Sequence, residues 1–332
     1  MASRVAFGGI PIMRLSKADA VSVVRGVIGL GVNFIDTANA YGDSEEKIGE
    51  AISGIKREDL IIASKSTAND KKTFWEHLNL CLDRLRTDYI DIYQMHHVSS
   101  VERRDAVFAP GGAFEGLTEA VRAGKVRFPA FSSHSIPLAM EMMKTGNFAV
   151  VQLPFNFVDT AACEEAIPLA KELDMGFIGM KPFGGGLLED AGIAIRYVLQ
   201  FDGVVPDPGI ERLSEMQEIV SIAEGERELS EEDKKTIDAL RRELGAHWCH
   251  RCDYCQPCPQ GIGISSVLTV ESLIKRMPFK RAFMMASDSM EKSRTCLECG
   301  VCVSRCPYKL PIPELLKNKI ALWERVVAEN TV

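Results

Sequence analysis

Eight of the ten cysteines in this sequence are grouped in two short runs near its C-terminal end. Each run places three cysteines at intervals of three residues and closes with a fourth cysteine that precedes a proline. Three thiolates with this spacing let one loop bind three corners of an iron–sulfur cube, so that the fourth ligand comes from elsewhere. The sequence therefore predicts two 4Fe–4S clusters, with these ligands: Cys249, Cys252, Cys255, Cys258, Cys296, Cys299, Cys302 and Cys306.

The division of these ligands between two clusters is a hypothesis. In bacterial two-cluster ferredoxins the cysteine before proline in each run binds the other cluster. The same crossing here gives one set of Cys249, Cys252, Cys255 and Cys306, and a second set of Cys296, Cys299, Cys302 and Cys258. The first run departs from the ferredoxin form, because two residues rather than three precede its last cysteine. A single cluster is one alternative, and structural zinc is another, although zinc would leave the third cysteine of each run surplus.

Four polar residues near the ends of apolar segments could together perform acid–base chemistry: Asp36, Tyr41, Lys65 and His96. Reduction of a carbonyl requires a proton for the developing alkoxide. A phenol with its ordinary pKa of about 10 donates poorly, and a neighbouring ammonium lowers that pKa. Lys65 can supply this charge, Asp36 can pair with Lys65, and His96 can donate a hydrogen bond to the substrate oxygen.

The elements that must position these side chains alternate over residues 1–240. Short apolar runs rich in β-branched residues predict eight buried parallel strands, each followed by an amphipathic helix. The strands are predicted at 5–8, 33–36, 60–64, 89–94, 128–132, 149–153, 176–180 and 203–206. This repetition is typical of a (β/α)8 TIM barrel, in which chemistry occurs at the C-terminal ends of the strands. A doubly wound open sheet is the alternative, which the lack of a glycine fingerprint after the first strand disfavours.

The clearest helical pattern covers residues 72–85. Its apolar positions recur on one face, as expected for a helix packed on a core: Phe74, Leu78, Cys81, Leu82 and Leu85. A further helix at 230–243, with its own capping box, is expected to close the barrel.

The pattern changes near Gly245, where we place a domain boundary. From Gly245 onward there are 12 Lys and Arg and 8 Asp and Glu residues, a balance of +4, whereas the remainder has 27 and 38, a balance of −11. The later segment also predicts helices at 265–276, 279–290 and 311–329. We therefore expect a barrel at 1–244, followed by a small, mainly helical, ferredoxin-like iron–sulfur domain at 245–332.

Composition restricts the class of protein and its partners. Hydrophobic residues make up 46% and charged residues 26%, as in an ordinary globular protein. The net charge of −7 argues against a nucleic-acid partner. No apolar stretch reaches the ~20 residues of a membrane span, and no signal peptide is recognised. Closely spaced cysteines without an export signal favour a reducing cytoplasm.

Three segments resemble the aldo–keto reductases: GVNFIDTANAYGDSEEKIG at 31–49, IIASKS at 61–66 and DYIDIYQMHH at 88–97. The resemblance covers roughly residues 5–240, and the whole chain is similar to a branch with a C-terminal ferredoxin-like double-cluster extension. It implies a (β/α)8 barrel whose Asp–Tyr–Lys–His tetrad falls on Asp36, Tyr41, Lys65 and His96. It also implies NAD(P)H bound across the barrel mouth without a Rossmann domain.

The family's cofactor contacts carry over less completely. The resemblance implies nicotinamide contacts from Ser132, Ser133 and Gln152, and from Met180 and Lys181 where many members have a stacking tyrosine. After the last strand, NADPH-dependent members have basic residues, but here only Arg212 is basic and Asp207 and Glu211 are acidic. A preference for NADPH over NADH is therefore not supported, and weakened nicotinamide binding is a further alternative.

The sequence thus favours an oxidoreductase that interconverts a small carbonyl compound and an alcohol, coupled to electron transfer through two clusters. A ferredoxin or a flavoprotein is the expected redox partner. The alternative is an electron-transfer or regulatory protein whose barrel has lost nicotinamide chemistry. A third interpretation gives the clusters only a structural role in a C-terminal lid.

Overall fold

The computed structural model describes residues 1–330, and eight parallel strands form the centre of its first part. The strands are β1 (Phe7–Gly8), β2 (Phe34–Asp36), β3 (Ile61–Ser66), β4 (Ile90–Met95), β5 (Val126–Ser132), β6 (Val150–Pro154), β7 (Gly176–Met180) and β8 (Val204–Asp207). They are hydrogen-bonded in the order of the sequence. Ala6 N donates to Pro206 O and Gly8 N to Pro208 O, each at 2.9 Å, which brings β8 back to β1. The predicted TIM barrel is confirmed, and the open sheet is wrong.

Helices surround the strands. They are α1 (Lys17–Gly29), α2 (Ser44–Ala51), α3 (Lys71–Leu85), α4 (Val101–Phe108), α5 (Ala113–Arg122), α6 (Ile136–Met143), α7 (Ala161–Glu164), α8 (Ala166–Glu172), α9 (Ala191–Leu199) and α10 (Leu213–Glu224). Short 3-10 helices occur at Pro11–Arg14 and Arg57–Asp59.

Local sequence accounts for the start and the packing of α3. The Asp70 side chain accepts a hydrogen bond from Thr73 N at 2.9 Å, which satisfies one of the unpaired donors of the first turn. The five apolar side chains predicted to share a face are the buried ones of this helix. Hydrophobic periodicity therefore identified both the helix and its inner face.

The C-terminal region is mainly helical, as predicted. Its helices are α11 (Glu231–Gly245), α12 (Ile264–Leu268), α13 (Val270–Arg276), α14 (Phe279–Ser293), α15 (Val301–Arg305) and α16 (Ile312–Asn330). A second apolar core, separate from that of the barrel, includes Ile264, Val267, Met290, Leu316 and Trp323. Within residues 1–330, none of the helices is long and apolar enough to cross a membrane.

Two compact units are present. One comprises Met1–Phe183 with Leu188–Leu229, and the other comprises Gly184–Leu187 with the chain from Ser230 onward. The sequence-based boundary at Gly245 differs from this division by α11, which begins with the predicted Ser230 capping box. The last two residues of the predicted 245–332 domain lie outside the described residues.

Candidate active site

The four side chains predicted for acid–base chemistry lie together at the C-terminal ends of β2, β3 and β4. Asp36 is the last residue of β2, Lys65 is near the end of β3, and His96 directly follows β4. Tyr41 lies in the loop that leads from β2 to α2. The side chains of Asp36 and Lys65 are 3% and 2% exposed, so their interaction is shielded from water.

Lys65 is held by two oxygen acceptors. Its Nζ donates to Asp36 Oδ2 and, at 2.7 Å, to the Thr37 carbonyl. Burial lowers the pKa of Lys65, but the attraction of Asp36, Tyr41 and Asp207 raises it more, so that the net pKa lies above the ordinary value. Lys65 is therefore a buried ammonium at neutral pH.

Tyr41 lies between this ammonium and His96. Lys65 Nζ is 5.2 Å from the centroid of the Tyr41 ring. The Tyr41 and His96 rings meet edge to face, with centroids 5.8 Å apart. A phenol, a cation and an imidazole are therefore adjacent, as proton transfer to a carbonyl oxygen requires.

His96 is neutral in this environment. Burial lowers its pKa well below the ordinary value, and the positive charge of Lys65 lowers it further. A neutral imidazole keeps one N–H donor. The backbone carbonyl of His96 accepts hydrogen bonds from Arg103 Nε and Nη2 at 3.3 and 3.2 Å, which fix the loop that carries the ring.

Gln152, near the end of β6, fits an amide ligand. It is 2% exposed, and its Nε2 donates to Asp207 Oδ2 at 3.0 Å. Its Oε1 is buried and has no hydrogen-bond partner within residues 1–330. A buried acceptor without a donor is costly, and a carboxamide N–H of a nicotinamide is a donor of the required kind.

The two serines at the end of β5, Ser132 as its last residue and Ser133 directly after it, are buried and hydrogen-bonded to the backbone. Ser132 Oγ accepts from His97 N at 2.9 Å. Ser133 Oγ donates to Ser135 O at 3.2 Å and accepts from Ser135 N at 3.0 Å. These bonds shape the loops that follow β4 and β5.

The other predicted cofactor contacts are more dispersed. Met180 ends β7 and pairs in register with Asp207 of β8, and Lys181 Nζ lies 2.5 Å from His134 Nε2. The side chain of Arg212 is 71% exposed and forms an ion pair with Glu215 at 2.6 Å.

Sequence reasoning missed Arg103 and the true surroundings of Asp207. Asp207 was interpreted only as a group that repels phosphate, but it is 8% exposed and bound to Gln152. Its position at the end of β8 was the available signal, because side chains at the strand ends meet at the barrel mouth. Arg103 lies in α4 and gave no comparable signal.

The cysteines line two cavities in the second unit. One is lined by Cys249, Cys252, Cys255 and Cys306, together with apolar residues such as Ile264 and Leu310. The other is lined by Cys258, Cys296, Cys299 and Cys302, with Ile262 and Leu316 among its neighbours. Each cavity thus combines three cysteines of one run with the last cysteine of the other. No three His, Cys, Asp or Glu side chains of the described chain are placed to hold a single metal ion.

The two cysteine runs share a backbone pattern. Left-handed residues occupy matching positions: Arg251 and Asp253 in the first run, Glu298 and Gly300 in the second. Such residues curl the chain tightly, so that successive cysteines can face one space. Burial raises the pKa of Cys249 to about 11 and that of Cys255 to about 12. These thiols therefore stay protonated until a cation replaces the proton.

Comparisons with known proteins agree with both parts of the chain. Residues 4–192 match the aldo/keto reductase family, and residues 248–311 match a 4Fe-4S dicluster domain. The uncharacterized oxidoreductase YqkF of Bacillus subtilis is 31% identical over 188 residues, which cover 52% of this chain and 59% of YqkF. L-galactose dehydrogenase of Arabidopsis thaliana is 26% identical over 212 residues, covering 57% of this chain and 64% of that protein. The chain spans between about half and two thirds of the length of these curated relatives.

Solved structures support the same fold. The aldo-keto reductase AKR11C1 from Bacillus halodurans superposes with a TM-score of 0.62 at 23% identity, covering 72% of this chain and 92% of that one. An aldo-keto reductase from Klebsiella pneumoniae in complex with NADPH superposes with a TM-score of 0.62 at 20% identity, covering 72% and 91%. At these identities the likeness concerns the barrel fold.

Proposed function

The chain belongs to the aldo/keto reductase family, and from that premise we propose that it is an oxidoreductase that interconverts a small carbonyl compound and an alcohol with a nicotinamide cofactor. One observation carries the proposal. The buried ammonium of Lys65, paired with Asp36, lies 5.2 Å from the ring of Tyr41. This arrangement favours the phenolate that remains after Tyr41 gives up its proton.

Each polar residue has a distinct role in reduction. A bound reduced nicotinamide supplies the hydride. Tyr41 donates its phenolic proton to the carbonyl oxygen, and Lys65 stabilises the resulting phenolate. Asp36 keeps Lys65 charged and in place. Neutral His96 donates a hydrogen bond to the oxygen on which negative charge develops.

The residues around the barrel mouth fit a nicotinamide better than they fit a 2′-phosphate. Gln152 Oε1 would accept a carboxamide N–H, and Ser132, Ser133, Met180 and Lys181 flank it at neighbouring strand ends. A 2′-phosphate would have to displace Glu215 from Arg212, and Glu211 is paired with Arg14 at 2.6 Å. We therefore expect NADH to bind at least as well as NADPH.

The cysteine cavities are proposed to hold two 4Fe–4S clusters with crossed ligands. The support is that each cavity collects four thiols, three from one run and one from the other. Four thiolates around a space, with apolar walls, suit a cubane cluster. Bound clusters would supply one-electron transfer there. Zinc would use only part of each cysteine run.

We propose that the clusters exchange electrons with a redox partner, a ferredoxin or a flavoprotein, in the cytoplasm, where thiols remain reduced. Since hydride carries two electrons and each cluster carries one, two clusters together match one hydride in electron number. This match supports coupling of the clusters to nicotinamide chemistry over a purely structural role.

One observation favours the alternative of a barrel that has lost nicotinamide chemistry. The Gln152 amide nitrogen already gives one of its two N–H groups to Asp207, so at most one N–H of this glutamine is left for an incoming carboxamide. Such a protein would keep its clusters and act in electron transfer or regulation.

Titration of the anaerobically purified holoprotein with NADH and NADPH separates these functions. Saturable binding, together with bleaching of the cluster absorbance by NADH, supports the coupled oxidoreductase. Binding and turnover with no change at the clusters would support a reductase with structural clusters. Failure of both nucleotides to bind would overturn the proposal and favour the electron-transfer protein.

A further inference from the structure

A second carboxyl group lies beside the Asp36–Lys65 pair. Asp207, the last residue of β8, interacts electrostatically with both of these side chains. It is 8% exposed, and Gln152 Nε2 donates to its Oδ2 at 3.0 Å. The tetrad expected from the sequence is therefore part of a larger buried cluster with two carboxyl groups and one ammonium.

Each carboxyl group has one oxygen without a donor. Within residues 1–330, neither Asp36 Oδ1 nor Asp207 Oδ1 has a hydrogen-bond partner, although both atoms are buried. Two ionised carboxylates in this position would repel each other and leave both oxygens unsatisfied, which is costly away from water. Gly8 of β1 lies beside both groups, since it pairs in register with Asp36 and a Cβ built on it would lie 3.0 Å from Asp207 Oδ1. A proton on one carboxyl group can therefore be donated to the other. One shared proton satisfies both oxygens.

The groups that face Asp207 come from several strands. β2 contributes Asp36, β3 contributes Lys65 and β6 contributes Gln152. β1 contributes Gly8, where a Cβ would lie 3.0 Å from Asp207 Oδ1, so that glycine leaves room for the carboxyl group. Burial raises the pKa of Asp207 well above its ordinary value and Asp36 raises it further, while Lys65 and Gln152 act in the opposite direction.

We propose that Asp207 is a positioning residue that shares one proton with Asp36 and so keeps the buried cluster electrically neutral. With both carboxylates ionised, the cluster of Asp36, Asp207 and Lys65 would have a net charge of −1. That charge would oppose formation of the Tyr41 phenolate. With one proton shared, the attraction of Lys65 for the phenolate is preserved.

The predicted effect on turnover rests on the proposed function, whereas proton sharing does not. As pH rises and the shared proton is lost, a negative charge appears near Tyr41 and carbonyl reduction slows. Asp207→Asn keeps the shape, accepts from Gln152 and donates its amide N–H to Asp36, but it does not titrate. In this variant the fall in kcat at alkaline pH should therefore move to higher pH by more than about one pH unit. A purely structural role would lower kcat by the same factor at every pH.

Infrared spectroscopy of the holoprotein tests the proton directly and independently of turnover. We expect a carboxylic-acid C=O band in the wild type at pH 7, and we expect this band to disappear as the pH is raised. The band should be absent in Asp207→Asn. It should be retained in Asp202→Asn, a matched change at an exposed aspartate before β8. A wild type without this band overturns the proposal even if Asp207→Asn fails to fold. A band that persists in folded Asp207→Asn also overturns it. A band with the expected behaviour in a protein that reduces no carbonyl leaves proton sharing standing and defeats the proposed function.

Discussion

Lys65 Nζ lies 5.2 Å from the centroid of the Tyr41 ring, which places a buried positive charge beside the only tyrosine of the proposed tetrad. Asp36 fixes the ammonium from the other side. The phenol therefore lies where its ionised form is stabilised by a neighbour that water does not screen.

Tyr41→Phe should reduce the kcat of carbonyl reduction by roughly 10²–10⁴-fold, the usual contribution of a positioned proton donor. Phenylalanine keeps the ring and its edge-to-face contact with His96, so nicotinamide affinity should stay close to that of the wild type. Steady-state kinetics and equilibrium binding of NADH on the same preparation measure both quantities. Turnover retained at the wild-type rate would refute the role of Tyr41 as proton donor.

The neutral state of His96 predicts a dependence of stability on pH. Its pKa is lowered on folding, so below the unfolded pKa of about 6.5 the unfolded chain binds more protons than the folded one. The contribution of neutral His96 to the free energy of unfolding is complete above pH 6.5. It is lost as pH falls towards the folded pKa, by at most about 1.4 kcal/mol per pH unit. The variant His96→Gln cannot titrate, so its thermal midpoint should fall less than that of the wild type between pH 7.5 and 5.5. An equal fall in both proteins would contradict the assignment.

The parts of the fold that could be predicted from the sequence depend on local patterns, namely hydrophobic periodicity and helix capping. The apolar face of α3 and the capping of α11 depend on neighbouring residues, and periodicity identifies such features directly. The contact of Asp207 with Gln152 joins residues on different strands, and Arg103 reaches the His96 carbonyl from a separate helix. Neither partner is encoded by spacing along the chain, so these parts of the site emerged only from the fold.

The predicted cofactor contacts show the same limit. The resemblance pointed to Gln152, but it could not reveal that, within residues 1–330, the amide nitrogen of Gln152 is bonded and its oxygen has no partner. Arg212 had the right charge for a phosphate, yet the cap of α10 holds it through Glu215. What each position can bind depends on the hydrogen bonds and ion pairs that its side chain already forms, and not on residue type alone.

Two glycines provide a matched pair for testing the packing that positions the Tyr41 loop. A Cβ on Gly49 in α2 would lie 2.0 Å from the backbone oxygen of Arg84 in α3, whereas a Cβ on Gly29 in α1 would meet no atom of residues 1–330 within 4 Å. Gly49→Ala should destabilise the protein by about 1–3 kcal/mol, since backbone must move. Gly29→Ala should stabilise it by up to about 1 kcal/mol. Thermal midpoints measured under identical anaerobic conditions compare the two, and equal effects would show that α2 and α3 do not approach closely.

Crossed ligation of the clusters can be tested by the additivity of cysteine substitutions. The double variant Cys252→Ser, Cys255→Ser should lose one cluster and about half of the iron. If Cys306 belongs to the same cluster, adding Cys306→Ser to that background removes little more iron, whereas adding Cys258→Ser removes much of the remainder. Iron and sulfide per chain are measured after anaerobic purification, with Cys163→Ser as the control outside both cavities. The opposite pattern, in which Cys258→Ser adds nothing and Cys306→Ser removes the remaining iron, would assign each cluster to a single run.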